Sequence, residues 1–259
     1  MVVGEGAQAI ALETKAPVNP YELVRQIYDI YQSDLYVRPD KSFNDALGQR
    51  FIDFLENVEY HGSYETAAGY IDKGDVVFDI GAGYGVFTLL ALIQGARGVH
   101  AFEPNAIAGE VFVNNMFLNG VGKENLRFSP VAVTNSKERK NLVWEEGYPC
   151  SGRIVRGTKA ERLAEGRAIS TLDCISLDNY ISLNKINKVD FIKISSPNYE
   201  LGVLEGAINT LTKHKPKLSV EVGYDAKTEK QVVDFIEQID PQYVCQKRAF
   251  KVQASISDD

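Results

Sequence analysis

The stretch VVFDIGAGYG, residues 76–85, joins a largely apolar run to three glycines at alternate positions. Val76 to Ile80 have the composition of a strand that is buried on both faces. Val86 to Ile93 (VFTLLALI) have the apolar density of a helix packed on such a sheet. The glycines therefore form a strand-to-helix turn, where positive φ angles and close approach of a ligand to the backbone are both allowed. This arrangement predicts a loop that binds a nucleoside cofactor.

The spacing of the glycines separates two classes of cofactor. A dinucleotide-binding turn reads G-x-G-x-x-G and would need a glycine at position 86, where this chain has Val86. The pattern here is D-x-G-x-G-x-G, with Asp79 two residues before Gly81. It resembles motif I of the Rossmann-like S-adenosylmethionine (SAM) methyltransferases. The alternative is an ordinary α/β turn that holds no ligand.

A second predicted strand supports the SAM interpretation. Gly98 to Phe102 (GVHAF) is followed directly by Glu103, which lies 18 residues after Gly85. A carboxylate at the tip of the second strand can accept hydrogen bonds from both ribose hydroxyls. The resemblance implies that SAM is held by the glycine loop, by this strand tip and by a residue near the adenine: Asp79, Gly81, Ala82, Gly83, Gly85, Glu103, Pro104 and Ala132.

Length and composition agree with a single enzyme domain. The 259 residues are 44% hydrophobic, which is enough for a full core. We expect a helical extension over residues 1–60 and a methyltransferase domain over residues 61–259. The net charge of −7 disfavours nucleic acid as the partner, because phosphate contacts need clustered Lys and Arg.

Cysteine content and apolar runs bear on the cellular location. The three cysteines are far apart and lack metal-ligand spacing, so we interpret them as reduced thiols of a cytoplasmic protein. The longest apolar run is about eight residues, well short of the ~20 that a membrane-spanning helix needs. Residues 1–16 do not resemble a signal peptide. We expect no membrane segment and no metal site.

The segment before the glycine loop resembles one particular family. The run YHGSYE (residues 60–65), followed by KGDVVFDIGAGYG (residues 73–85), is similar to the FkbM-type methyltransferases. That resemblance implies that Glu65 helps to close the cofactor pocket. His61 is a candidate catalytic base, and the alternative is a loop histidine that supports the turn.

The fourth strand of this fold exits toward the reactive methyl group, and here the chain departs from the family. VDFIKI (residues 189–194) is followed by SSPNYE (residues 195–200), where FkbM proteins typically read K-I-D-x-E-G-x-E. Ser195 and Asn198 stand where the family has aspartate and glycine. The sequence S-P-N-Y is instead similar to the [DNS]-P-P-[YF] loop with which amino-group methyltransferases hold a planar nitrogen.

The remaining segments complete the predicted sheet. Residues 126–133 (LRFSPVAV) are the third strand, and Pro130 makes it an edge strand or a bulge, since proline cannot donate a ladder hydrogen bond. Residues 145–168 lack periodicity and are predicted to be a mobile, substrate-selecting loop. Residues 243–248 and 250–256 fit the antiparallel pair that ends a seven-stranded methyltransferase sheet.

Together these features predict a Rossmann-like α/β protein with a seven-stranded sheet, mostly parallel with an antiparallel last strand. The family resemblance implies SAM-dependent O-methylation of a hydroxyl on a sugar or other small natural product. Two alternatives remain: N-methylation through the S-P-N-Y segment, and a non-catalytic SAM-binding protein. The oligomeric state stays open. The candidate residues around the acceptor are Lys193, Ser195, Asn198, Glu221 and His61.

Overall fold

The structure, a computed structural model, describes residues 70–145, 148–155, 167–222, 226–248 and 251–256. The predicted N-terminal extension lies outside these residues, as do His61 and Glu65. In chain order the strands are β1 (Val76–Ile80), β2 (Gly98–Phe102), β3 (Leu126–Ser129), β4 (Ala132–Val133), β5 (Lys140–Glu145), β6 (Tyr148–Val155), β7 (Arg167–Leu172), β8 (Cys174–Ile175), β9 (Phe191–Ile194), β10 (Lys217–Glu221), β11 (Tyr243–Arg248) and β12 (Lys251–Ile256). The helices are α1 (Val86–Ile93), α2 (Ala106–Leu118), α3 (Leu177–Leu183), α4 (Glu200–Glu205), α5 (Ile208–His214) and α6 (Ala226–Ile239).

Seven strands form the central sheet in the order β11-β12-β10-β9-β1-β2-β3. The pairs from β10 to β3 are parallel, whereas β12 runs antiparallel to both β10 and β11. The predicted fold is therefore confirmed, including the antiparallel last strand. The chain leaves β1 toward β2 on one side, and β9 lies on the other side. Ligands of open α/β sheets bind at such a switch point, outside the carboxyl ends of the strands.

Apolar helices cover the sheet on its two faces. One face packs against α1 and α2 through a cluster that includes Val77, Val99 and Phe191. The opposite face packs against α3, α4, α5 and α6 through a larger cluster that includes Phe78 and Val220. Among the described residues, no helix is both long and apolar enough to cross a bilayer.

The predicted third strand is divided at Pro130. Its first part is β3, which lies at the edge of the central sheet as predicted. Its second part is β4, which leaves that sheet and pairs in parallel with β8. Because Pro130 has no N–H to donate, the ladder ends there.

The prediction of a mobile loop between residues 145 and 168 was wrong for the part of that segment that the structure describes. Strand β6 occupies residues 148–155 and joins β5 and β7 in an antiparallel sheet with the order β6-β5-β7. One face of this small sheet is buried by Leu142 and Leu172, with Trp144 and Ile154 packed beside them. The apolar residues are spread over separate strands, so no single segment shows clear periodicity.

Candidate active site

The glycine loop needs its glycines for two different reasons. Gly81, Gly83 and Gly85 have φ angles of +73°, +55° and +92°, in the left-handed region that other residues rarely adopt. Gly81 is also crowded, since a Cβ atom there would lie 1.9 Å from the carbonyl oxygen of Ser195. The loop therefore passes directly against the exit of β9, which brings the predicted cofactor and acceptor regions together.

A buried ion pair holds the loop from below. Lys193 Nζ lies 3.0 Å from Asp79 Oδ1 and donates a 2.7 Å hydrogen bond to the carbonyl oxygen of Gly81. Thr88 Oγ1 donates to Asp79 Oδ2 over 2.7 Å. The two charged side chains are only 2% and 0% exposed. The structure thus places Lys193 at the base of the cofactor loop, and its predicted contact with the acceptor stays a prediction.

Asp79 is predicted to orient the glycine loop and the amino-acid part of SAM. Both of its carboxylate oxygens accept hydrogen bonds from side chains of the protein. Through Lys193 the carboxylate is linked to the backbone of Gly81, so it can fix the conformation of the loop. Contact between Asp79 and the amino-acid part of SAM stays a prediction.

Glu103 joins the tip of β2 to the glycine loop. Its Oε2 accepts a 2.8 Å hydrogen bond from Gly83 N, and its Oε1 accepts one of 2.8 Å from Asn105 N. The side chain is 7% exposed, and this burial raises the pKa of its carboxyl group to about 7, although the two backbone donors act in the opposite direction. Carboxylate and loop therefore form one unit.

The residues at this unit fit the ribose of a nucleoside cofactor. Each carboxylate oxygen of Glu103 can accept more than the one backbone hydrogen bond that it receives, so two hydroxyl donors can be accommodated. Asn105 caps α2 through its Oδ1, while its buried Nδ2 has no hydrogen-bond partner among the described residues. A buried donor of this kind is rare in native proteins unless a ligand or water satisfies it. Pro104, between these two residues, is partly buried.

Sequence reasoning missed Cys150, which lies over the loop. A Cβ atom at Gly83 would lie 3.3 Å from Cys150 Sγ. Burial, followed by the charge of Glu103, raises the pKa of this thiol far above its usual range. Strand β6 therefore lies against the glycine loop, beside the predicted cofactor site. No local signal in the sequence indicates this, because the contact depends on how the small sheet folds back.

Ala82 and Ala132 lie in different surroundings. Ala82 is buried in the loop, and its N–H donates to the carbonyl oxygen of Phe102 at the end of β2. Ala132 is buried in β4 beside Leu142 and Leu172. The predicted contact of Ala132 with the adenine stays a prediction.

The exit of β9 forms a tight turn. Tyr199 N donates to Ser196 O over 2.8 Å, and Asn198 is exposed with a φ angle of +66°. Asparagine tolerates this conformation better than most residues, so Asn198 has a structural reason to be there. The backbone N–H of Asn198 also donates to Glu200, whose pKa burial raises. Ser195, at the start of the turn, is partly buried.

Glu221 ends β10 at the same edge of the sheet. It is partly buried, and its direct partner in the register of β10 and β12 is Lys251. Lys251 is only 3% exposed and was not singled out from the sequence. A lysine within a strand (KVQASI) is a weak signal, because most such lysines point into solvent.

A mostly parallel sheet with this strand order, a glycine loop after β1 and a carboxylate at the tip of β2 defines the Rossmann-like fold of class I methyltransferases. Residues 79–251, more than half of the chain, match the sequence profile of the methyltransferase FkbM domain. The protein belongs to this family.

The chain is also similar to several individual proteins. The crystal structure of methyltransferase FkbM from Methylobacillus flagellatus KT superposes with a TM-score of 0.53 at 17% identity, covering 95% of this chain and 63% of that one. An rRNA methylase from Streptococcus thermophilus gives a TM-score of 0.46 at 14% identity, over 76% of this chain and 95% of that one. The ribosomal protein L11 methyltransferase of Bacillus pumilus (strain SAFR-032) is 34% identical over 55 residues, which are 21% of this chain and 18% of that protein. The chain thus spans less than two thirds of the FkbM structure and of this curated relative.

Proposed function

We propose that this protein is a cytoplasmic SAM-dependent methyltransferase that acts on a hydroxyl of a sugar or other small natural product. The observation that carries this proposal is the bond between Glu103 and Gly83 N, which unites a buried carboxylate with the glycine loop at the switch point of the sheet. Membership of the FkbM family supports the same activity.

SAM supplies a methyl group on a positively charged sulfur, from which an oxygen nucleophile can displace it in line. The protein must then hold the cofactor, align the acceptor and remove one proton. The three glycines of the loop, Gly81, Gly83 and Gly85, allow the cofactor to approach the backbone closely. Glu103 accepts hydrogen bonds from the ribose hydroxyls. The exit of β9 and the tip of β10 lie on the acceptor side.

The acceptor is proposed to be small. The net charge of −7 disfavours a polyanionic acceptor such as RNA. One specific observation favours the second candidate, N-methylation: residues 196–199 form a turn that leaves Asn198 exposed, as a loop that holds an amine would. Transfer to nitrogen or to oxygen is therefore the distinction that an experiment must make.

Labelled SAM tests the proposal directly. The protein is incubated with methyl-labelled SAM and the low-molecular-mass fraction of a cell extract, and labelled products are identified by mass spectrometry. We expect a methyl ether, together with S-adenosylhomocysteine. A methylamine would establish the N-methyltransferase alternative. Tight SAM binding with no labelled product from any extract would favour the non-catalytic alternative, and NADH binding as tight as SAM would contradict the cofactor assignment.

The pH dependence of SAM binding tests the role of Glu103. Ribose hydroxyls donate best to the ionised carboxylate, whereas the free protein binds a proton there with a pKa of about 7. Because the pKa of Glu103 is raised in the protein without SAM, the affinity for SAM should be highest above about pH 7. Below pH 7 it should fall by up to about tenfold per pH unit. Calorimetry at several pH values measures this dependence.

The matched variants are Glu103→Gln and Glu138→Gln, the second at an exposed position. Two charged hydrogen bonds contribute about 1.5–3 kcal/mol each, so Glu103→Gln should weaken SAM at least tenfold and remove the pH dependence. Glu138→Gln should behave like the wild type. Wild-type affinity in Glu103→Gln would contradict the ribose assignment.

A further inference from the structure

The sheet face that packs against α1 and α2 changes from apolar to polar across its width. Val77, Val99 and Phe191 belong to the apolar cluster on this face. Alternate residues of a strand share a face, and directly paired residues lie side by side. The register therefore places a polar set on the same face of β9, β10 and β12, next to Asp79: Lys193, Ser195, Ser219, Glu221, Lys251 and Gln253.

This polar region is largely buried, and one of its hydroxyl groups lacks a hydrogen-bond partner among the described residues. Ser219 is 1% exposed, and its Oγ has no hydrogen-bond partner among the described residues. Buried hydroxyls without partners are uncommon in native proteins, and a ligand or a bound water usually explains them. A polar ligand therefore fits this part of the face better than an apolar one.

Lys251 and Glu221 lie at the end of this region that is at the same edge of the sheet as the glycine loop. β12 begins where β10 ends, because the two strands are antiparallel, and Glu221 pairs directly with Lys251. This is also the edge at which the glycine loop contacts Ser195. The pair is thus on the acceptor side of the proposed cofactor site.

Burial brings the pKa of the Lys251 amine close to neutral pH. Burial lowers the pKa of Lys251 to about 8, Glu221 and Asp79 raise it, and the Lys193 ammonium lowers it. These three groups come from β10, β1 and β9. A substantial fraction of the amine is consequently uncharged in mildly alkaline solution.

We propose that Lys251 is the catalytic base of the methyl transfer, taking the proton of the acceptor hydroxyl while Glu221, opposite it, stabilises the resulting ammonium. This inference rests on the proposed function. It supplies the base that the exit of β9 lacks, since Ser195 has a hydroxyl in the place of the family's aspartate and is a poor proton acceptor at neutral pH.

The step balances without any other reactant. The acceptor oxygen forms a bond to the methyl carbon as the carbon–sulfur bond breaks, and that electron pair stays on sulfur. The O–H electron pair stays on oxygen, and the proton joins the lone pair of Lys251 Nζ. The products are a methyl ether, S-adenosylhomocysteine and a lysine ammonium that afterwards releases its proton to solvent.

Four variants separate proton transfer from a structural ion pair. Lys251→Arg keeps a cation opposite Glu221 but cannot accept a proton, because arginine is not deprotonated in proteins. Lys251→Met removes the amine at similar length. Glu221→Gln removes a charge that raises the pKa of Lys251. Lys123→Met, at an exposed lysine in the turn before β3, is the matched control.

The readout is release of S-adenosylhomocysteine across pH, with labelled SAM and the low-molecular-mass extract fraction as the acceptor probe. In the wild type and Lys123→Met, the rate should rise with pH through about 8 and then level off. Lys251→Arg and Lys251→Met should lose about 100-fold in rate while binding SAM with unchanged affinity. In Glu221→Gln the rate should rise at a lower pH, because the charge that raises the pKa of Lys251 has been removed.

A second measurement is independent of turnover. In wild-type protein labelled with carbon-13 at the lysine Cε, the resonance that Lys251→Arg removes should titrate near pH 8. A Lys251 that stays protonated beyond about pH 10, or wild-type turnover in Lys251→Arg, would overturn the inference. Failure of the wild type to bind SAM would instead overturn the proposed function, so the two failures are distinguishable.

Discussion

Replacing Gly81 by alanine should destabilise this protein severely and abolish SAM binding. The new Cβ atom would lie 1.9 Å from the carbonyl oxygen of Ser195, which is backbone and cannot rotate away. Either the glycine loop or the exit of β9 must move, although the hydrogen bond from Ser195 N to Ile80 O joins them. The left-handed conformation alone costs about 1–2 kcal/mol for a residue with a Cβ atom, and the clash adds to it.

Gly120→Ala is the control for Gly81→Ala. Gly120 also has a positive φ, +65°, but a Cβ atom there would have open space around it. The Gly120→Ala change should lower the free energy of unfolding by only about 1–2 kcal/mol and leave the affinity for SAM unchanged. Urea denaturation and calorimetric titration of both variants measure the difference. Equal losses in the two variants would show that conformation, and not contact with Ser195, decides the position.

The second large effect is expected for Lys193→Met. Removal of one partner from a buried ion pair typically costs 3–5 kcal/mol, so the free energy of unfolding should fall by about that amount. Asp79 would keep the hydrogen bond from Thr88 but would lose the ammonium, and Gly81 O would lose its donor. Urea denaturation measures the change, and a weaker affinity for SAM should accompany it, because the loop loses its support.

An exposed pair provides the comparison for Lys193→Met. Lys230 and Asp234 form a solvent-exposed i,i+4 salt bridge on α6, so Lys230→Met should change the free energy of unfolding by only about 0.3–0.5 kcal/mol. The double variant Asp79→Asn, Lys193→Met should lose less than the sum of its single changes, since neither charge is then left unpaired. If the double variant instead loses the sum of the two single losses in free energy of unfolding, Asp79 and Lys193 are not energetically coupled.

The cofactor loop was accessible from sequence because its requirements are local. Glycines at positions 81, 83 and 85 are needed for positive φ angles, and those angles were found. The carboxylate of Glu103 follows β2 directly, so the end of an apolar run was enough to place it at the tip of a strand. Helix α1 was predicted with the bounds that the structure has, because it is one continuous apolar segment.

The assignments that local patterns could not support involve residues brought together by distant strands. The sequence did not indicate that the ammonium of Lys193 binds Asp79, which lies in a strand 114 residues earlier. Cys150 contacts the loop only because β5, β6 and β7 form a separate sheet. In that sheet the apolar residues are divided among three short strands, so the segment appeared to be a loop.

By itself, the sequence determined the fold class, the glycine turn and the position of Glu103, since periodicity and spacing along one segment impose these features. Tertiary structure alone decided which charged residues become neighbours: Lys193 binds Asp79 beneath the loop, and Lys251 is paired with Glu221 in the register of β12 and β10. Those pairs depend on the register between strands that are far apart in the chain. The hydrophobic pattern of a strand determines which of its residues face the core, but which residue of a distant strand lies opposite is decided only when the sheet is assembled.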